Sequence, residues 1–130
     1  MKKIFALLAV LLVATQISWA QKKQKGFTQK QHLQALQHHY KAILKMADNK
    51  FCGNANDFAF VPLGTNPCGG AKEYLIYSKN IDRKHFFQLV EQYNQAEASY
   101  NQKYNIQGAC VVLETPTNIN CVNKKPVLVY

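Results

Sequence analysis

Acidic residues are scarce in this chain. Its 130 residues hold seven Asp and Glu against sixteen Lys and Arg, a formal charge of +9. Asp57, Glu73, Asp82, Glu91, Glu97 and Glu114 are scattered, so a glycosidase-like carboxyl pair forms only if folding brings two of them together. H-E-x-x-H, C-x-x-C, the G-x-S-x-G nucleophile elbow and a phosphate-binding glycine loop are all missing. No motif therefore names a reaction, and the sequence implies no catalytic residue, no metal and no cofactor. The histidines are His32, His38, His39 and His85. His32 and His39, seven apart, share roughly one helical face, as ordinary surface histidines do, and the spacing suits no metal site. No internal repeat is visible. Beyond residue 20 no apolar run approaches the roughly 20 residues of a membrane span.

What is present begins with an export signal. Lys2 and Lys3 precede the apolar run Ile4 to Val13, and Ser18-Trp19-Ala20 offers small residues to a signal peptidase. The expected signal peptide is 1–20, with Gln21 the first mature residue. The expected destination is the periplasm or the extracellular space. Residues 21–27 read as a basic, flexible lead-in and 28–130 as one domain. Cys52, Cys68, Cys110 and Cys121 make an even set, which in an exported chain implies two disulfides. Three pairings are open. Closure of short loops beside predicted strands favours Cys52–Cys68 and Cys110–Cys121.

The basicity is local. Residues 21–50 hold seven lysines against Asp48 alone, whereas 51–130 hold seven basic and six acidic groups. Such a segment is most simply a solvated face. It also suits an anionic partner such as lipid or polysaccharide, with Lys22, Lys23, Lys25, Lys41 and Lys45 as the binding candidates.

Thr28 with Gln31 forms a capping-box pattern, and Leu33, Leu36, Tyr40, Ile43 or Leu44, and Ala47 recur at helical spacing. This predicts a helix over 29–47. Asp57 to Leu63 reads as a strand, with Phe58 and Phe60 on one face and Ala59 and Val61 on the other. The turn-rich stretch Gly64 to Gly70, with Pro67-Cys68-Gly69-Gly70, then leads into the strand Lys72–Ser78, which carries Tyr74-Leu75-Ile76-Tyr77-Ser78. Gly69 and Gly70 supply the φ > 0 that a sharp reversal needs, and Cys68 stands where a disulfide pins it. The strand is apolar on both faces, as in strands covered on both sides. Asp82 caps a second helix to about Tyr104, whose stripe is Phe86, Leu89, Val90, Tyr93, Ala96, Tyr100 and Tyr104. Strands follow at 110–114, 119–123 and 127–130. The expected fold is α+β: two helices packed on a small antiparallel sheet, in the order αββαβββ, with two disulfides. Tyrosines are frequent, and exposed ones such as Tyr74 are candidate binding residues.

The block from Cys52 to Tyr130 resembles an uncharacterised family of small secreted bacterial proteins with a Cys-Gly-Gly turn before a Tyr-Leu-Ile-Tyr-Ser strand. The resemblance is carried by Pro67-Cys68-Gly69-Gly70, Tyr74 to Ser78, Ile81-Asp82, Tyr93-Asn94, Gly108, Cys110, Pro116, Cys121 and Lys125 to Tyr130. This chain has Ala71 where such proteins often have Pro, and Ala109 where they often have an acid. The resemblance implies a disulfide-bonded secreted fold and no activity.

These readings converge on a small extracytoplasmic binding domain, of the inhibitor or adaptor kind, whose partner is an extracytoplasmic protein or an anionic envelope component. Two alternatives stay open. One is a small hydrolase whose acids meet only in the fold, and the other an envelope protein held by its basic helix.

Overall fold

The computed structural model describes residues 26–130. The expected signal peptide, most of the basic lead-in, and Lys22, Lys23 and Lys25 lie outside the described residues. Helix α1 spans Gln29–Met46 and opens with a complete capping box. Gln31 N–H donates to Thr28 Oγ1 at 3.3 Å, and Thr28 N–H donates back to Gln31 Oε1 at 2.9 Å. Two of the helix's otherwise unpaired donors are thereby satisfied. A single 3-10 turn at Ala55–Asp57 leads into strand β1, Phe58–Leu63. Strand β2 is Glu73–Ser78, and helix α2, Arg83–Lys103, starts where Asp82 caps the His85 N–H. Strands β3, Asn118–Val122, and β4, Lys125–Val129, close the chain.

β1 and β2 pair antiparallel, Phe58 opposite Ser78 and Leu63 opposite Glu73. Pro62 lacks the N–H of a ladder donor and is tolerated because β1 has a free outer edge. The strand period sorts the side chains as the sequence implies. Leu63, Leu75 and Tyr77 join Leu36, Ile43, Ala47, Phe86, Val90 and Tyr93 under the helices. On the other face Phe58 and Ile76 pack with Cys52 and Ile119. β2 is thus covered on both sides, by the helix pair and by the β3–β4 hairpin. The end of α1 is tied to the end of β2, because Ser78 N–H donates to the Ala47 carbonyl at 2.8 Å. The β3–β4 turn places Asn123 and Lys124 at φ 50° and 60°, the twist a two-residue hairpin requires.

The α+β class, the order of the elements and the presence of two disulfides agree with the sequence. Four details differ. The cysteines pair Cys52–Cys121 and Cys68–Cys110, which overturns the short-loop pairing. Loop length weighs only chain entropy, whereas the fold brings the β3–β4 hairpin to Cys52, whose N–H donates to the Lys124 carbonyl at 2.8 Å. The same folding sets the turn of Cys68 beside Gly108. The strands form two separate two-stranded sheets, not a single one. The stretch 110–114 carries no ladder despite its β-branched residues. Its two ends are held by other parts of the chain, and strand propensity without a partner edge forms no sheet. Finally, the stripes are narrower than the periodicity suggests. Ile43, not Leu44, is the buried member of its pair, Leu33 and Ala96 are exposed, Leu89 is half-buried, and Glu97 is buried instead.

Candidate binding surface

The turn after β1 is built as a fixed platform on α2. Gly64 has φ 76° and lies so close to the helix that a Cβ there would stand 2.8 Å from Glu97 Oε2. Three α2 side chains one face apart, Asn94, Glu97 and Asn101, grip the turn. Gly64 N–H donates to Asn94 Oδ1 at 2.7 Å, Thr65 N–H to Glu97 Oε2 at 2.7 Å, and Asn101 Nδ2 to the Thr65 carbonyl at 2.8 Å. Lys72 completes the clamp with an ion pair to Glu97 Oε1 at 2.7 Å. Beyond the clamp the turn closes on itself. Asn66 N–H donates to the Gly70 carbonyl and Gly69 N–H to the Asn66 carbonyl, with Gly69 and Gly70 at φ 96° and 80°. These glycines do what the sequence assigns to them.

Cys68, on this platform, is bonded to Cys110. A Cβ at Gly108 would stand 3.1 Å from Pro67 Cγ, a tight contact to which the proline ring would have to yield, so glycine eases the close pass by the turn. At its far end the passing segment is held again. Thr115 Oγ1 is 3.0 Å from the Tyr74 hydroxyl, and Pro116 is buried. Between these anchors Val111, Val112 and Leu113 are 63%, 93% and 39% exposed. Among the described residues no backbone group from Cys110 to Pro116 has a backbone hydrogen-bond partner. Three consecutive apolar residues are therefore held out to solvent on a backbone fixed at both ends.

The structure thus brings together Cys68, Gly69, Gly70, Tyr74 and Cys110. It leaves Lys41 and Lys45 apart, exposed on α1 with no ion pair among the described residues. The second disulfide, Cys52–Cys121, serves the hairpin and not this surface. The sequence assigns no clamping role to Asn94, Glu97 and Asn101. Their i, i+3, i+7 spacing was legible, but a polar stripe on a helix ordinarily faces water.

A separate cleft of about 340 Å³ between the helices and the start of β2 is lined by Tyr40, Tyr93, Glu73, Glu97 and Lys72. It brings two carboxylates together, the condition for the hydrolase alternative. Both are already engaged. Glu97 accepts from Lys72, Thr65 N–H and Tyr93, and Glu73 accepts from the Tyr40 hydroxyl at 2.7 Å. Burial, then the Glu73 hydrogen bond, pushes the Tyr40 phenol up to about 12, and burial with the Glu97 charge pushes Tyr93 up as well. Both phenols stay protonated near neutrality and act as fixed donors, not as proton carriers. Among the described residues no group of three or more His, Cys, Asp or Glu is arranged to hold a metal.

Set against models of protein families, curated proteins and solved structures, the chain matches none.

Proposed function

We propose that the chain is a small extracytoplasmic binding domain that docks on a partner protein through the segment Cys110 to Thr115. One observation carries the reading: an apolar run, unpaired in its backbone, is presented between a disulfide and a buried proline. Exposed apolar surface of this kind marks interaction sites more often than it serves the monomer. An unpaired extended backbone suits a partner that adds a strand, since main-chain hydrogen bonds then supply affinity and alternate side chains supply selectivity. Two disulfides favour an oxidising compartment. No helix of the described residues is long and apolar enough to cross a membrane. Both fit export by the basic and apolar pattern of the first twenty residues. The hydrolase alternative loses support because both glutamates of the tyrosine cleft are committed to internal hydrogen bonds.

The test places a photo-cross-linking residue at position 112 of the exported protein, with the same residue at position 41 as reference. A single adduct formed at 112 and lost in a Val111→Asp variant supports the reading. Adducts formed only at 41 move recognition to the basic helix, and with it to the envelope-bound alternative.

A further inference from the structure

On the side of the helix pair away from the platform runs a second groove, of about 310 Å³. It is built by four residues from each helix at the same i, i+3, i+4, i+7 spacing. His32, Ala35 and His39 of α1 face Ala96, Ser99 and Lys103 of α2, with Leu36 and Tyr100 as walls. The helices run antiparallel, so the ends of the groove differ. One end is lined by Lys103 and by His32, whose Nδ1 lies 2.6 Å from the Tyr104 hydroxyl. With the Tyr104 phenol as donor to Nδ1, a neutral His32 carries its proton on Nε2. Lys103 has no ion pair among the described residues. At the other end His39 packs edge-on against Tyr93, and its Nε2 is sealed from solvent without a partner. Burial, and secondarily the nearby His38, holds that imidazole below its usual pKa and so neutral. The floor between is small and apolar because Ala35 and Ala96 keep the helices from filling it.

The charges around the groove are one-sided. Its lining contains a lysine and two histidines and no acid. We propose that this groove binds an apolar monocarboxylate, an alkyl or aryl acid, with its tail on Ala35, Leu36 and Ala96 and its carboxylate between Lys103 and His32 Nε2–H. Three features select this class. A volume near 300 Å³ is the lower range of small-ligand pockets. The apolar floor gains by covering a hydrocarbon tail. The Lys103 ammonium, without an ion pair among the described residues but 5.5 Å from the Tyr104 ring centroid, and an imidazole N–H offer a carboxylate two charge-assisted or polar hydrogen bonds at one end only. A second carboxylate at the far end would meet the neutral, sealed His39, so a dicarboxylate is disfavoured. This site is independent of the docking segment and stands or falls without it.

Titration calorimetry of the folded domain with decanoate, octylammonium and decanol tests the proposal. Decanoate is expected to bind saturably at one site, and both control ligands more weakly. Lys103→Gln should weaken decanoate by about tenfold, the loss of one charge-assisted hydrogen bond. Ala96→Leu, at an exposed helical position, should fill the groove and abolish binding while leaving the thermal midpoint in place. Amide shifts induced by decanoate in the unmodified domain should cluster at residues 32–39 and 96–103, a readout that needs no variant. Equal binding of octylammonium, shifts outside these two stretches, or no saturable decanoate binding would each overturn it.

Discussion

Two irregular segments joined by one disulfide are held in opposite ways. The turn 64–72 is gripped by side chains of α2, and its polar groups point inward to Asn94, Glu97 and Asn101. The segment 110–116 is fixed only at its ends, and its apolar side chains point outward. The difference teaches where rigidity and where recognition reside. A backbone dense in internal hydrogen bonds has little left to offer a partner. A backbone pinned at its termini keeps its shape and leaves its hydrogen-bonding groups unused. The Cys68–Cys110 bond transmits the rigidity of the first to the second.

Cutting that link is the strongest way to break the contrast. Cys68→Ala with Cys110→Ala removes a cross-link between residues 42 apart. The loss of stability should be roughly 4 kcal/mol on loop-entropy grounds. Denaturant melts of the oxidised domain and the double variant measure it. Hydrogen exchange should then be faster at 110–116, with the 64–72 turn much less affected, because the α2 clamp remains.

Loosening the clamp instead should strike the turn first. Glu97→Ala leaves Thr65 N–H and the Tyr93 hydroxyl without their acceptor and frees Lys72. A cost of about 2–3 kcal/mol is expected, towards the lower end for a broken buried pair because half of the Lys72 side chain already sits in water. Urea unfolding reads the effect. A loss no larger than that of an exposed substitution such as Gln92→Ala would show that the clamp contributes nothing to the platform.

Gly64→Ala probes the same contact through the backbone. A side chain at φ 76° is strained, and its Cβ would meet the Glu97 carboxylate. About 1–2 kcal/mol should be lost, and a rescue of part of it by Glu97→Asp would locate the clash.

Alkaline pH offers a gentler perturbation of the neighbouring tyrosine cleft. The Tyr40 phenol ionises at about 12 in the fold against an ordinary 10.0. The fold therefore favours its neutral form. That contribution is complete below pH 10 and is lost as pH rises from 10 through 12. Because Tyr40 is partly exposed, the loss should be on the order of 1 kcal/mol. Thermal melts between pH 9 and 11.5 should fall less steeply for Tyr40→Phe than for the unmodified chain.

The smallest effect on stability is expected where the effect on docking is largest. Val112→Asp should move the melting temperature negligibly, within about 0.5 kcal/mol, since the residue is almost fully exposed. With the photo-cross-linking residue moved to position 113, the same change should abolish the adduct. A marked loss of stability would mean that Val112 is covered in solution.

What the sequence determined by itself follows from short-range rules. Thr28 with Gln31 and Asp82 with His85 mark the helix starts because a cap acts within one turn. Alternation along Phe58 to Leu63 and Glu73 to Ser78 names the faces of both strands, because side chains alternate with the pleat. Gly69 and Gly70 reveal the reversal through the steric freedom of glycine. Of the candidate site, Cys68, the glycines and Tyr74 could therefore be picked out, though not what they hold. The rest depends on which distant parts meet. Cys52 could not be matched to Cys121 from spacing, since it is the packing of the β3–β4 hairpin with Phe58 and Ile76 that sets Cys121 beside Cys52. Val111 to Leu113 has the composition of a strand, and only the anchoring at Cys110 and Pro116 left it without a partner edge. Glu97 resembled a solvent-facing acid until the turn at Gly64 closed over it and Lys72 reached it. Local sequence determines which conformations a segment can adopt at low energy, but pairing, burial and exposure depend on contacts between residues dozens of positions apart.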